Sequence, residues 1–223
     1  MKYDPNSPLQ KMIFNNRYSF ISLVVILGMY FIATSYYAPQ STLRMGTAAI
    51  TNNKSGLVGG PFNMTTDTGK AVTEQMLLGK ISLLFFGFTH CPDICPTALG
   101  KLSAVYNALP ERLKPYVQVI FVTLDPERDT EENLHNYMQA FNDTFTALRG
   151  TAEQTKSIAK EYAVFYNKGT VDPSGNYMLD HTGYVYMINA KGEYAQHFKH
   201  NAKGQEILKQ VMIEANKKGA FKQ

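Results

Sequence analysis

The sequence predicts an α/β fold, a central mixed sheet flanked by helices, preceded by one N-terminal transmembrane helix. Three observations carry this reading. Two apolar runs of strand length, residues 80–88 and 117–124, bracket a segment with helical spacing, residues 97–109. Alternating residues 182–188 and 193–198 are joined by the turn Asn189-Ala190-Lys191-Gly192, which reads as an antiparallel hairpin. Residues 18–38 form a stretch of 21 residues without a charge, matching the roughly 20 that span a bilayer as a helix.

The uncharged stretch divides the chain. Residues 1–17 form a short leader carrying Lys2, Lys11 and Arg17, and basic residues before a span keep that side cytoplasmic or matrix-facing. Tyr18, Tyr36 and Tyr37 stand at its ends, where interfacial aromatics belong. A cleaved signal peptide fits less well, because its apolar core runs to only about 7–15 residues and Tyr36 stands where a small residue is wanted. Residues 39–58 are small and polar and read as a tether. Residues 59–223 are then the folded domain, on the periplasmic side of an inner membrane or, alternatively, the intermembrane-space side of a mitochondrial one. The leader lacks an Arg-rich, Ser-rich presequence, which favours the bacterial placement. Removing Lys2, Lys11, Arg17 and Asp4 from the 22 basic and 18 acidic residues leaves 19 and 17, a balance that argues against nucleic acid as a partner.

Within the domain, Gly59-Gly60-Pro61-Phe62 opens the fold, and Asp67-Thr68-Gly69-Lys70 is turn chemistry between two short strands. Residues 80–88 are continuously apolar and read as a buried strand. Leu99, Leu102, Val105, Tyr106 and Leu109 share one helix face, and residues 117–124 form a second buried strand. Residues 130–141 read as a helix whose acidic start suits the helix dipole, followed by a short strand at 145–148 and a helix at 151–162. Residues 168–176 are a loop before a strand at 177–180. After the hairpin, residues 203–217 are amphipathic with Ile207, Leu208, Val211 and Met212 inward. A βαβ unit, a later hairpin and a closing helix give a thioredoxin-like layout.

The only two cysteines, Cys91 and Cys95, stand in Phe-Gly-Phe-Thr-His90-Cys91-Pro92-Asp93-Ile94-Cys95-Pro96-Thr97, directly after the first buried strand. Two thiols at i and i+4 at the mouth of a helix lie on one face, with Cα atoms about 6 Å apart. They can share a soft metal when reduced or bridge when oxidised, since disulfide Cα separations run from roughly 4.4 to 6.8 Å. A helix N-terminus lowers a thiol pKa. The bridge would close too short a loop to serve as a stabilising staple. Among the five histidines, His181 is the best third donor, because Asp180-His181-Thr182-Gly183 stands at a loop-to-strand join beside the cysteine loop in such a layout. Asp180 is a candidate to orient its ring. His90 points away from Cys91 and is read as structural or tuning, and His135, His197 and His200 as surface residues. Asp129 is placed to cap the helix at 130, and Asp125 to bias the site electrostatically. The ten methionines are scattered and belong to the core.

Gly-Gly-Pro-Phe62, the Cys91-x-x-x-Cys95 segment, Val-Thr-Leu-Asp125-Pro-Glu-Arg-Asp129-Thr and Asp180-His181-Thr-Gly, in this order, resemble the Sco/SenC family of copper-binding assembly factors from about Gly59 to the C-terminal helix. The resemblance implies a thioredoxin-like domain binding one copper ion through Cys91, Cys95 and His181. It also implies delivery of copper to the binuclear copper site of cytochrome c oxidase subunit II, or maintenance of that subunit's cysteines in reduced form with Cys91 and Cys95 as the redox pair. An upstream copper donor protein would be a further partner. Two thiolates and an imidazole suit Cu(I), and Cu(II) with an added oxygen donor.

Overall fold

A computed structural model describes residues 27–30, 58–217 and 221 of the chain. The chain divides into two compact units, residues 1–49 and 50–223. In the first, residues 27–30 are helical and exposed. Among the described residues no helix is long and apolar enough to cross a membrane. Apart from residues 27–30, the expected span at 18–38 lies outside the described residues, as do the leader at 1–17 and the tether up to residue 57.

The second unit is built on a seven-stranded mixed sheet. Its strands are β1 (Asn63–Thr66), β2 (Ala71–Thr73), β3 (Ile81–Gly87), β4 (Val117–Thr123), β5 (Thr146–Arg149), β8 (Tyr184–Ile188) and β9 (Tyr194–Lys199), in the order β2-β1-β5-β4-β3-β8-β9. The central pair β3 and β4 is parallel, with Ile81 opposite Val117 and Phe85 opposite Phe121. A parallel pair needs a crossover, and helix α1 (Ile94–Asn107) lies within it. β5 joins β4 in parallel, and β8 pairs antiparallel with β3.

Both faces of this sheet are covered, which is why β3 reads as an unbroken apolar run: all seven residues are buried. Alternate residues feed two cores. Ile81, Leu83 and Phe85 pack with Leu99 and Leu102 of α1, Leu134 of α2 (Glu131–Gln139) and Val211 of α4 (Gly204–Ala215). Leu84, Phe86 and Phe88 pack with Ile158 of α3 (Ala152–Glu161) and with Tyr162. The expected face of α1 is correct, with Leu99 and Leu102 fully buried, and Ile207 and Val211 turn inward on α4.

Helix starts follow side-chain chemistry. Thr151 and Gln154 form a reciprocal capping box on α3, and the Thr130 hydroxyl accepts from Asn133 N–H at the start of α2. Thr130 is thus the cap that the sequence reading assigned to Asp129. β6 (Tyr166–Lys168) and β7 (Leu179–His181) form a two-stranded ribbon outside the main sheet. The ribbon differs from the expected loop at 168–176 and strand at 177–180, because β6 is too short and too polar to show an alternation.

Leu102 is completely buried between α1 and the sheet. Leu102→Ala is expected to lower unfolding stability by about 2–5 kcal/mol through lost burial and the cavity left behind. Denaturant unfolding with an unchanged m-value measures it.

Candidate metal centre

Cys95 lies in the first turn of α1, and Cys91 precedes the helix, whose N-cap is Asp93. The two thiols therefore do not sit on one helical face as the i, i+4 spacing suggested; a turn closed by Cys91 N–H donating to the Phe88 carbonyl (3.2 Å) brings Cys91 back over the helix start. Pro96 stands in the first turn, where a missing N–H costs no helical hydrogen bond. Cys95 is fully buried, Cys91 is partly exposed, and both thiols are free. Gly87 makes room for Cys95: a Cβ there would stand 2.6 Å from Cys95 Sγ and 2.9 Å from the Phe121 ring. No sequence signal separated this glycine from an ordinary strand-end glycine.

His181, the last residue of β7, brings Nε2 to 3.8 Å from Cys95 Sγ. The ligand atoms of Cys91, Cys95 and His181 all lie within 4.8 Å of one another. With metal–sulfur bonds of about 2.3 Å and metal–nitrogen bonds of about 2.0 Å, donors sharing one ion stand roughly 3.5–4.5 Å apart, so small side-chain shifts close the triad on a metal. The His181 ring is wedged edge-on against Phe85 (6.3 Å) and Phe88 (5.9 Å). Its Nδ1–H donates to the Thr182 carbonyl at 3.2 Å, leaving Nε2 as the lone-pair donor facing the thiols. The orienting partner is thus a backbone carbonyl rather than the exposed Asp180.

His90, His135, His197 and His200 stay out of the triad. His90 meets the hydroxyl of Thr89. His135 is more than a surface residue, since its Nδ1 stands 2.9 Å from Oδ2 of the buried Asp67, and His197 Nδ1 meets the Tyr194 hydroxyl at 2.6 Å. Asp129 is fully buried beneath the cysteine loop, accepting from the Thr89 N–H (3.1 Å), the Thr89 hydroxyl (2.6 Å) and the Thr123 hydroxyl (2.5 Å). Asp125 is buried too and accepts from the Tyr177 hydroxyl and Arg128 Nε.

Cys91 and His181 line a cavity of about 360 Å³ together with Phe88, Ile94, Met178 and Asp180, while Cys95 lies buried behind them. A slightly larger, more polar cavity beside Asp67 and His135 contains neither cysteine. The thiols are electrostatically unequal. Cys91 accepts a hydrogen bond from the Cys95 thiol, and together with backbone donors this pulls its pKa down to about 3 against the opposing effect of burial. Cys95, as donor to that thiolate and deeply buried, has its pKa pushed far up. The reduced pair therefore carries one proton, held by Cys95, with an anionic sulfur at the mouth. A soft ion entering the cavity meets a ready thiolate and displaces the one proton, held by Cys95.

The lowered pKa fixes a pH profile. The reactive form of Cys91 is lost only as pH falls through about 3, so its alkylation rate should be flat between about pH 5 and 8, where an ordinary thiol with a pKa of about 8.5 slows tenfold per unit. Iodoacetamide labelling of the reduced, metal-free chain followed by mass spectrometry measures this, and a tenfold-per-unit decline would refute the assignment.

Comparison with known proteins places this geometry. The SCO1/SenC family profile matches residues 50–215. The mitochondrial SCO1 homologue of Homo sapiens is 38% identical over 156 residues, covering 70% of this chain and 52% of that protein. The SCO2-like protein of Rickettsia felis is 34% identical over 189 residues, covering 84% of this chain and 91% of that protein. The chain spans about half the length of the human and plant mitochondrial relatives it matches. Among solved structures, Arabidopsis thaliana ScoI with copper bound superposes with a TM-score of 0.67 at 37% identity over 72% of this chain and 99% of that one. Yeast Sco1 with copper bound gives 0.67 at 31% identity over 73% and 90%. With a thioredoxin-like sheet, a Cys-x-x-x-Cys loop and a histidine meeting it from β7, the chain belongs to the SCO1/SenC family.

Proposed function

We propose that this chain is a membrane-anchored copper chaperone of cytochrome c oxidase assembly, holding one copper ion through Cys91, Cys95 and His181 and helping to metallate the binuclear copper site of subunit II. The observation that carries the reading is the gathering of two sulfurs and one imidazole nitrogen within 4.8 Å, with Cys91 and His181 lining an open cavity. Soft thiolates select Cu(I), which accepts three donors. The copper-bound relatives at 31–37% identity support copper as the cargo.

The residues divide the work of transfer. Cys91, partly exposed and anionic, is the donor that an incoming or departing copper ion meets first. Cys95 is held in place by Gly87 and the α1 start and gives up its proton on loading. His181 completes the set from a separate ribbon with its tautomer already fixed. Release follows by ligand exchange, as the partner's thiols replace these donors one at a time. The uncharged stretch at 18–38 supplies a single-pass anchor, with the domain on the periplasmic side of the inner membrane or the intermembrane-space side of a mitochondrial one.

A second reading has its own support in the asymmetry of the thiols. A low-pKa, partly exposed Cys91 beside a buried, protonated Cys95 is the arrangement of a thiol-disulfide reductase. Cys91 attacks a partner disulfide and releases one partner thiol. Cys95 then resolves the mixed disulfide, leaving a Cys91–Cys95 bridge and a reduced partner. Such a reductase has no use for His181, which ranks the chaperone first.

The deciding measurement is copper titration of the reduced chain with X-ray absorption at the copper edge. One copper bound by two sulfurs and one nitrogen is expected. His181→Ala should lose the nitrogen and weaken binding by about tenfold or more, the scale on which even outer partners of metal ligands act. Stoichiometric copper indifferent to His181 would overturn the assigned site. Absence of copper binding together with fast disulfide exchange by the metal-free chain would establish the reductase.

A further inference from the structure

His181 is the one donor of the triad that arrives on the two-stranded ribbon. β6 and β7 pair only with each other, Tyr166 with His181 and Lys168 with Leu179. Residues 170–176, which connect them, are all exposed. After that loop the first buried side chain is Tyr177, four residues before His181. Its surroundings are unusually polar for a buried ring. The Tyr177 hydroxyl donates to Asp125 Oδ1 at 2.6 Å, and Arg128 Nε donates to Asp125 Oδ2 at 2.5 Å. The Arg128 guanidinium lies 3.6 Å from the Tyr177 ring centre, and Lys168 Nζ lies 3.8 Å from it. Lys168 also reaches Glu127 at 3.2 Å. Every partner in this cluster except Lys168 comes from residues 125–128, in the same turn whose Asp129 grips the cysteine loop through Thr89. Lys168 belongs to the ribbon itself.

The geometry points to Tyr177 as the positioning residue for His181: it fastens the histidine-bearing ribbon to the turn that also fixes the cysteine loop, so both halves of the donor set are referenced to one piece of backbone. The hydroxyl-to-carboxylate bond is charge-assisted and buried, and the two cations over the ring add attraction that a plain apolar contact lacks. Leu179, buried in the same core as Tyr177, and the entry of the chain into β8 at Tyr184 also hold the ribbon. Without Tyr177 the ribbon keeps those contacts but loses its register against the cysteines. The role as an orienter of a copper ligand rests on the copper reading; the fastening of the ribbon does not.

The test is Tyr177→Phe, which keeps the ring beneath its cations and removes only the hydroxyl. In the reduced, metal-free chain, amide hydrogen exchange within residues 166–168 and 179–182 is expected to speed up about tenfold or more, the scale of one hydrogen bond to a charged group, while β3 and β4 remain protected. In the copper-loaded chain the nitrogen contribution at the copper edge should fall. The loss of affinity should also be non-additive with His181→Ala, the double variant binding no worse than His181→Ala alone. Unchanged ribbon exchange in Tyr177→Phe overturns the fastening role. Faster exchange with an unaltered nitrogen signal, or losses that add in the double variant, overturns the positioning role. A wild-type chain that binds no copper defeats the chaperone reading and leaves the exchange result to decide the fastening.

Discussion

A buried carboxylate organises the region on which this molecule's chemistry rests. Asp129 is wholly enclosed, and a charge so enclosed costs several kcal/mol unless its oxygens are hydrogen-bonded. It finds donors in Thr89, at the exit of β3, and in Thr123, the last residue of β4. Its own carbonyl accepts from Arg149 Nε at 2.9 Å, at the end of β5. The carboxyl ends of three neighbouring parallel strands are thus pinned to one residue, at the edge where open α/β sheets place their sites. The backbone that leads through His90 to Cys91 starts from this fixed point.

From that point two segments reach the donor set by different means. The cysteine side is rigid: β3 is buried on both faces, α1 packs its Cys95, Leu99 and Leu102 against it, and Gly87 lets Cys95 lie against the strand end. The histidine side is a ribbon of two three-residue strands, too small to be independently stable and secured by Tyr177, Leu179 and the aromatic contacts of His181 with Phe85 and Phe88. The proposed carrier role gives such unevenness a use, because donors must be organised enough to hold the ion while at least one leaves the set at modest cost when a partner's ligands arrive.

The unequal thiols follow from the same architecture. Cys95 is buried and its proton has nowhere more favourable to go, whereas Cys91 lies at the mouth with the Cys95 S–H and backbone donors directed at it. Burial alone would raise both pKa values. Hydrogen bonding within the pair splits them and places the negative charge where a ligand enters.

Much of this was legible in the residues. The apolar runs marked β3 and β4 because burial on both faces demands continuous hydrophobicity; the i, i+3, i+4 pattern marked α1 and α4; and the two cysteines beyond β3 marked the site, with His181 its third member. Other features were not legible. β6 is three polar residues with no period to read. Gly87 matters only because Cys95 folds back against it, and the orienting partner of His181 is the carbonyl of Thr182, which any residue would supply. Asp129 stands immediately before a helix start, where a cap is the ordinary inference; the fold instead turned its side chain inward and left capping to Thr130. Local sequence thus determined which segments are helix and strand and which residues can bind a soft metal, because periodicity and donor chemistry belong to neighbouring residues. Only the tertiary structure decided that His181 meets Cys95 across 86 positions, that Asp129 lies beneath the cysteine loop and that Tyr177 fastens the ribbon. Those relations depend on which buried polar groups find partners once the sheet has closed.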